Sequence, residues 1–139
     1  MGSEKKITVT FQTEKPPVLT VSQPTTIDMG LTQKTATVTI RNTGSGMLDW
    51  KVTGGANWLT VEPIEGTTRN ETDQVTLTVN REGLPEGLKS TTIVIDAGLA
   101  GKAEITINME VPGQPELDVS PRAVDFGTTE TTKTIQIRN

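Results

Sequence analysis

The side chains that most often perform enzyme chemistry are scarce in this sequence. Its 139 residues include no His, no Cys and no Tyr. Without His, no serine has its usual imidazole base, and without Cys there is neither a thiolate nucleophile nor a zinc site with cysteine ligands. We therefore predict that the protein is not an enzyme and needs no cofactor.

Carboxylates are the one reactive group that the sequence supplies in number. Glycoside hydrolysis needs only two of them. Those at predicted strand ends and loops are Asp28, Asp49, Glu62, Glu65, Glu71 and Asp73. Acidic side chains in such places are usually solvated, so we predict no catalytic pair among them.

Four of these carboxylates flank one predicted loop and are candidate calcium ligands: Glu62, Glu65, Glu71 and Asp73. Calcium prefers oxygen ligands, and Asn70 and backbone carbonyls stand close by in the sequence. The spacing is not that of an EF-hand, because no Asp-x-Asp-x-Asp-Gly run occurs. We expect a solvated loop without a metal, with calcium as the alternative.

The charge and hydropathy of the chain limit its partners. A net charge of −4 argues against binding nucleic acid, which requires the neutralisation of phosphates by basic side chains. No apolar run approaches the roughly 20 residues that a membrane-spanning helix needs. We therefore predict neither a nucleic-acid partner nor insertion of this segment into a membrane.

Apolar and polar residues alternate along most of the chain, which predicts β-strands. Val and Ile alternate with Thr most clearly in residues 35–42, 74–80, 91–97 and 103–111, as half-buried strands require. About seven short strands joined by turns predict an all-β protein with an immunoglobulin-like antiparallel β-sandwich. The predicted core comprises Val38, Ile40, Trp50, Val75, Leu77, Val79, Ile93, Ile95, Ile105 and Ile107.

Two segments carry more local predictions. Gln23-Pro24 separates the apolar pieces Leu19–Val21 and Ile27–Met29, and a proline there predicts that the first strand bends or changes sheets. The polar stretch from Glu65 to Asp73 is predicted to be a loop.

The two ends of the sequence repeat parts of its middle. Residues 7–11, 19–22, 27–30 and 38–42 run parallel to residues 105–109, 117–121, 124–127 and 135–139. The offset is 98 residues from Ile7 to Ile105 and 97 from Asn42 to Asn139, because Gln23 has no counterpart. A period near 100 residues is that of a whole domain in a tandem array.

This repetition predicts three parts. Residues 1–17 would be the last strand of a preceding repeat with its linker, residues 18–111 a complete domain, and residues 112–139 a linker with the first strands of a following repeat. The flanks then carry apolar side chains without partners in their own repeat. These candidates for strand exchange are Ile7, Val9, Phe11, Leu117, Val119, Val124, Phe126, Ile135 and Ile137.

The order of several motifs resembles that of the BACON family, which are immunoglobulin-like modules of bacterial and phage surface proteins. The motifs are Asn42-Thr-Gly-Ser-Gly46, Leu48-Asp-Trp50, Trp58-Leu-Thr-Val-Glu-Pro63 with Gly66, Val75–Asn80 and Gly83-Leu-Pro-Glu-Gly87. The resemblance covers roughly residues 18–111 and implies a β-sandwich located outside the cell or at its surface.

The resemblance also implies carbohydrate binding, which usually requires an exposed aromatic face. Trp50 shares its parity with Leu48 and is predicted to lie in the core. Trp58 has the opposite parity to Leu59 and Val61, so it is the candidate for a partly exposed, sugar-binding residue.

Three functions remain open on the sequence alone. The first is a non-enzymatic spacer in a tandem-repeat surface protein, whose partners are the neighbouring repeats. The second is a carbohydrate-binding module that uses Trp58. The third is a homo-oligomer that assembles by strand exchange through its flanks, the alternative being that the flanks remain frayed.

Overall fold

The computed structural model describes residues 4–10, 14–22, 25–121 and 123–139. Their strands are β1 (Leu19–Val21), β2 (Thr26–Asp28), β3 (Thr35–Asn42), β4 (Leu48–Gly54), β5 (Leu59–Glu62), β6 (Glu65–Thr68), β7 (Thr72–Val79), β8 (Gly87–Asp96), β9 (Lys102–Val111), β10 (Asp118–Ser120) and β11 (Gln136–Arg138). The one helical element among these residues is a 3₁₀ turn at Gly98–Ala100. Nothing helical in the described part of the chain has the length and apolar character that a membrane crossing requires.

Strands β1 to β9 form two sheets. The first has the order β1-β3-β7-β5, and all of its pairs are antiparallel. The second has the order β2-β9-β8-β4-β6. This arrangement confirms the predicted all-β, immunoglobulin-like sandwich.

The first strand does change sheets, as the proline predicts. β1 pairs with β3 in one sheet, while β2 pairs with β9 in the other. The pairing of β2 with β9 is parallel, with Ile27 opposite Ile107, so the second sheet is mixed at this edge. β2 keeps the direction of β1 after the crossing. Because β9 runs in that same direction, β2 and β9 pair in parallel.

The core lies between the two sheets and follows the two-residue period of the strands. On β7, for example, Val75, Leu77 and Val79 are buried while the threonines between them are exposed. All ten side chains predicted for the core are buried. The core also takes in Met29, Leu48, Trp58, Leu59, Met109 and Val111.

The segment predicted as a loop from Glu65 to Asp73 contains strand structure instead. β6 pairs with β4, which places Gly66 opposite Trp50. Thr68 is fully buried, and its hydroxyl donates a 2.8 Å hydrogen bond to the carbonyl of Glu71. Polar composition concealed this edge strand because its contact with the core is made by a glycine and a threonine.

The flanks are far more exposed than the sandwich. Residues 4–10 belong to no strand, and Ile7 and Val9 are 86% and 68% exposed. Most of the apolar side chains in the other flank are also exposed: Leu117, Phe126, Ile135 and Ile137. Val119 and Val124 are half-buried. Phe11 lies outside the described residues.

Candidate functional site

The four candidate calcium ligands do not converge on one point. Glu62 ends β5, Glu65 begins β6, Glu71 precedes β7 and Asp73 lies on it. In the described part of the chain, no group of three or more His, Cys, Asp or Glu side chains could hold a metal ion.

Two of these carboxylates have structural contacts that account for their positions. Asp73 Oδ2 accepts a 2.8 Å hydrogen bond from the indole nitrogen of the buried Trp50. Glu71 accepts a hydrogen bond of 3.0 Å from the backbone N–H of Asn70. Hydrogen bonds from the backbone of residues 69–71 lower the pKa of Glu71. In this segment, Asp73 therefore holds the indole of Trp50, and Glu71 holds a tight turn.

Trp58 is buried rather than partly exposed, which corrects the expectation for a sugar site. Its exposed fraction is only 9%. The parity argument fails because Trp58 lies in the turn before β5, where the N–H of Leu59 bonds to the carbonyl of Ala56. A residue in that turn is not bound by the alternation of the strand, so Trp58 and Leu59 both reach the core.

The depression in the surface beside Trp58 is too small for most ligands. A depression of about 100 Å³ is lined by Asn57, Trp58, Asn80, Glu82 and Leu84. Pockets for small ligands usually measure about 300–1,000 Å³. The polar neighbours are of the kind that bind sugars, but the indole offers no open face on which a sugar ring could stack.

The chain enters the sandwich through a linker that is bound to a turn. Asn42 Oδ1 accepts hydrogen bonds of 3.0 Å from the backbone N–H of Val18 and from that of Gly44. The N–H of Ser45 donates to the carbonyl of Lys15 at 3.2 Å. These contacts hold residues 15–18 against the turn at 42–46.

The opposite end of the sandwich is closed by one arginine. Arg81 follows β7, and its guanidinium donates four hydrogen bonds to backbone carbonyls. Nε reaches Glu110 at 2.9 Å, and Nη1 reaches Gln33 at 2.8 Å. Nη2 reaches Met29 at 3.2 Å and Gly30 at 2.7 Å. One side chain thus joins the turn after β2, the approach to β3 and the end of β9.

The hairpin between β8 and β9 lies at the end where the chain enters. Asp96 Oδ1 accepts a 2.8 Å hydrogen bond from the N–H of Gly98, and Oδ2 lies 3.1 Å from Nζ of Lys102. These two contacts, in that order, lower the pKa of Asp96. A Cβ added at the neighbouring Gly101 would lie 3.6 Å from Cβ of Leu19, so β1 starts beside the start of β9.

Entry and exit are therefore at opposite ends of the domain. The exit follows Val111 at the far end of β9, where the N–H of Glu110 bonds to the carbonyl of Gly30. β9 has ten residues, and at about 3.3 Å per residue it separates the two points by about 33 Å.

Residues 117–121 and 123–139 fold like the start of the domain. β10 pairs with β11 so that Asp118 faces Arg138 and Val119 faces Ile137. Their sequence counterparts in β1 and β3, Thr20 with Arg41 and Val21 with Ile40, face each other in the same way. The register of the first strand pair is thus repeated together with the sequence.

The turn that follows is repeated as well. The N–H of Gly30 donates a 2.9 Å hydrogen bond to Asp28 Oδ1, and the N–H of Gly127 donates one of equal length to Asp125 Oδ1. Both glycines have a positive φ, +51° and +62°, which other residues rarely adopt. Residues 117–139 therefore reproduce the first strand pair and an Asp-x-Gly turn of the sandwich.

A comparison with protein families matches the viral BACON domain to residues 18–109, which is more than half of the chain. The chain belongs to the viral BACON domain family. This confirms the resemblance seen in the motifs, and the matched residues include β1 to β8 and most of β9. None of the curated proteins compared matches the sequence.

Solved structures share the sandwich of this BACON domain at low sequence identity. The chain is similar to a Bacteroides ovatus GH5 xyloglucanase (TM-score 0.53, 16% identity, 70% of this chain and 20% of that one). It is also similar to the E. coli chaperone DraB (0.55, 11%, 73% and 59%) and to PapD-like domain 7 of human CEP192 (0.58, 12%, 82% and 99%).

These likenesses show the fold alone. The BACON chain spans only a fifth of the xyloglucanase and less than two thirds of the chaperone.

Proposed function

We propose that this BACON domain is a non-enzymatic spacer between neighbouring repeats of a protein that lies outside the cell or at its surface. The observation that carries the proposal is the second copy of the β1–β3 register in β10 and β11. A domain followed by the start of a similar domain is the arrangement expected of a tandem array. The neighbouring repeats are then its direct partners.

The geometry of the two ends supports a role as a spacer. Entry and exit at opposite ends mean that each repeat adds the full length of its strands to the array. The linker before β1 also gives up freedom, because Lys15 and Val18 are hydrogen-bonded to the turn at 42–46. A linker held by its own domain restricts the angle between repeats.

The other parts of the proposal rest on the sequence and the family. The absence of His, Cys and Tyr supports a role without catalysis. The location follows from the resemblance to BACON modules of bacterial and phage surface proteins.

The proposed stiffness can be tested with Gly44→Ala. A Cβ at Gly44 would overlap the carbonyl oxygen of Pro16 and lie 2.8 Å from the nitrogen of Val18, so alanine must displace the linker. We expect the N–H order parameters of Lys15 and Val18, measured by NMR, to fall from about 0.85 to below about 0.6 while β3, β7 and β9 keep theirs.

Ser45→Ala is the matched control, because it changes the same turn, adds no atom and keeps the N–H that bonds to Lys15. Its linker should stay as ordered as in the unaltered protein. If Lys15 and Val18 are mobile before any substitution, the linker is not a stiff connector and the spacer proposal fails.

The competing function is glycan attachment through Trp58. We expect the labelled full chain to bind no glycan on an array, and its tryptophan fluorescence to stay unchanged when sugars are added, because both indoles are buried. Saturable binding accompanied by a shift in fluorescence would instead favour the carbohydrate-binding function.

A further inference from the structure

The two flanks correspond to strands that pair with each other inside the complete sandwich. By sequence, residues 4–10 are counterparts of the first part of β9, with Ile7 standing for Ile105 and Val9 for Ile107. Residues 123–125 are counterparts of β2, with Val124 standing for Ile27. β2 and β9 are neighbours in the five-stranded sheet.

The contact between β2 and β9 shows what such a pair gains. Thr26 faces Thr106, Ile27 faces Ile107 and Asp28 faces Asn108 in parallel register. The N–H of Thr106 bonds to the carbonyl of Thr25 at 2.8 Å, and the N–H of Met29 bonds to that of Asn108 at 2.7 Å.

The side chains at this contact are well covered. Ile107 and Met29 are almost fully buried, and Ile27 packs against the core.

In the flanks the corresponding side chains lack this cover. Val9, the counterpart of Ile107, is 68% exposed, and Phe126, the counterpart of Met29, is 46% exposed. Residues 123–125 have no strand assignment although β10 and β11 around them do. β10 and β11, which both lie in this flank, have therefore paired with each other. Residues 123–125, whose counterpart β2 pairs with β9, have not formed the corresponding pair.

We propose that residues 7–10 of one copy of this chain add to residues 123–125 of a second copy as a parallel strand. Transferring the β2–β9 register places Thr8 opposite Ala123, Val9 opposite Val124 and Thr10 opposite Asp125. The added strand completes the start of a second sandwich on the tail of the other copy.

The position of the flanks favours pairing between copies. The N-terminal flank is held at the end where Lys15 meets Ser45. The other flank leaves after Val111, about 33 Å away along β9. Such a contact joins two different surfaces, so it predicts head-to-tail assemblies, as rings or open chains, whose population grows with concentration.

The affinity should be modest. Few apolar side chains become covered, and residues 4–10 must give up their conformational freedom to cover them. Association is therefore expected to be reversible and visible only at high protein concentration.

Cysteine crosslinking tests the pairing in the full chain, which contains no cysteine of its own. Val9→Cys in one copy is mixed with Val124→Cys in a second copy that carries a mass tag, and a short thiol-reactive crosslinker is added. We expect the tagged and untagged copies to be joined at least about ten times more efficiently than in a control that combines Val9→Cys with Leu99→Cys. Leu99 is fully exposed in the 3₁₀ turn and takes no part in the pairing.

A second control tests the register. Ala123→Cys puts the thiol on the opposite face of the tail strand, so its yield with Val9→Cys should fall clearly below that of Val124→Cys. Equal yields for Val124→Cys and Leu99→Cys would overturn the proposal. So would a chain carrying both Val9→Cys and Val124→Cys that crosslinks only within itself at every concentration.

Light scattering on the unaltered full chain provides an independent readout. Its average mass should rise with concentration, and Val9→Asp should return it to that of a monomer while Leu99→Asp does not. A monomer at every concentration would overturn strand pairing between copies, and it would leave the spacer proposal standing.

Discussion

Replacing Arg81 with alanine is expected to lower the free energy of unfolding by about 2–4 kcal/mol. The guanidinium donates to the carbonyls of Met29, Gly30, Gln33 and Glu110, which come from three separate segments. Hydrogen bonds to a charged group are stronger than neutral ones, and carbonyls left without a donor add their own cost. Urea denaturation should show a lower midpoint with an unchanged slope.

Two further variants separate geometry from charge. Arg69→Ala removes the same kind of side chain from an exposed turn and should change stability by less than about 0.5 kcal/mol. Arg81→Lys keeps the charge but loses the fork that reaches several carbonyls at once, so it should recover only part of the loss. If Arg81→Ala were as mild as Arg69→Ala, the four hydrogen bonds would contribute nothing to the closure of this end.

Gly66→Ala is expected to cost about 2–3 kcal/mol of stability. Gly66 lies opposite Trp50 on β6, and a Cβ there would lie 2.5 Å from Cζ2 and 2.8 Å from Cε2 of the indole. The ring cannot withdraw freely because it is buried and its nitrogen bonds to Asp73. Urea denaturation measures the loss, and the near-ultraviolet circular dichroism of the indole should change with it.

Gly113→Ala is the matched control for this substitution. A Cβ at Gly113 would lie 2.6 Å from Oε2 of Glu86, but that atom ends a flexible side chain that can move away. We expect a change of less than about 0.5 kcal/mol. Equal losses for the two variants would mean that the contact between Gly66 and Trp50 is not specific.

Most of the fold could be predicted from the sequence because the strands alternate cleanly. Val38 with Ile40, and Ile105 with Ile107, repeat at period two, and burial follows that period. The prediction was wrong where strand rules did not apply. Trp58 lies in a turn, where parity has no meaning, and β6 contacts the core through Gly66, which has no side chain to reveal a pattern.

The features at the two ends could be predicted much less well. Arg81 donates hydrogen bonds to backbone carbonyls. Because every residue has a backbone carbonyl, the sequence does not show which positions accept these bonds. In the sequence Asn42 is only the first residue of a motif, although its carboxamide also holds Val18 of the linker. The internal repeat is the exception, since matching residues at offsets of 98 and 97 predicted that residues 112–139 contain the first strands of a following repeat.

The entry and exit at opposite ends have a consequence for a chain under tension. β1 leads away from the end where the linker arrives, and β9 runs from that same end toward Val111. A pull on the two ends would therefore act along the strands and slide β1 against β3. In this shearing geometry the bonded pairs from Leu19–Asn42 to Val21–Ile40 resist together, whereas a pull across the strands would open them one at a time. With the two ends of the chain leaving in these directions, the domain would resist the pull until β1 and β3 separate all at once, rather than opening one hydrogen bond after another.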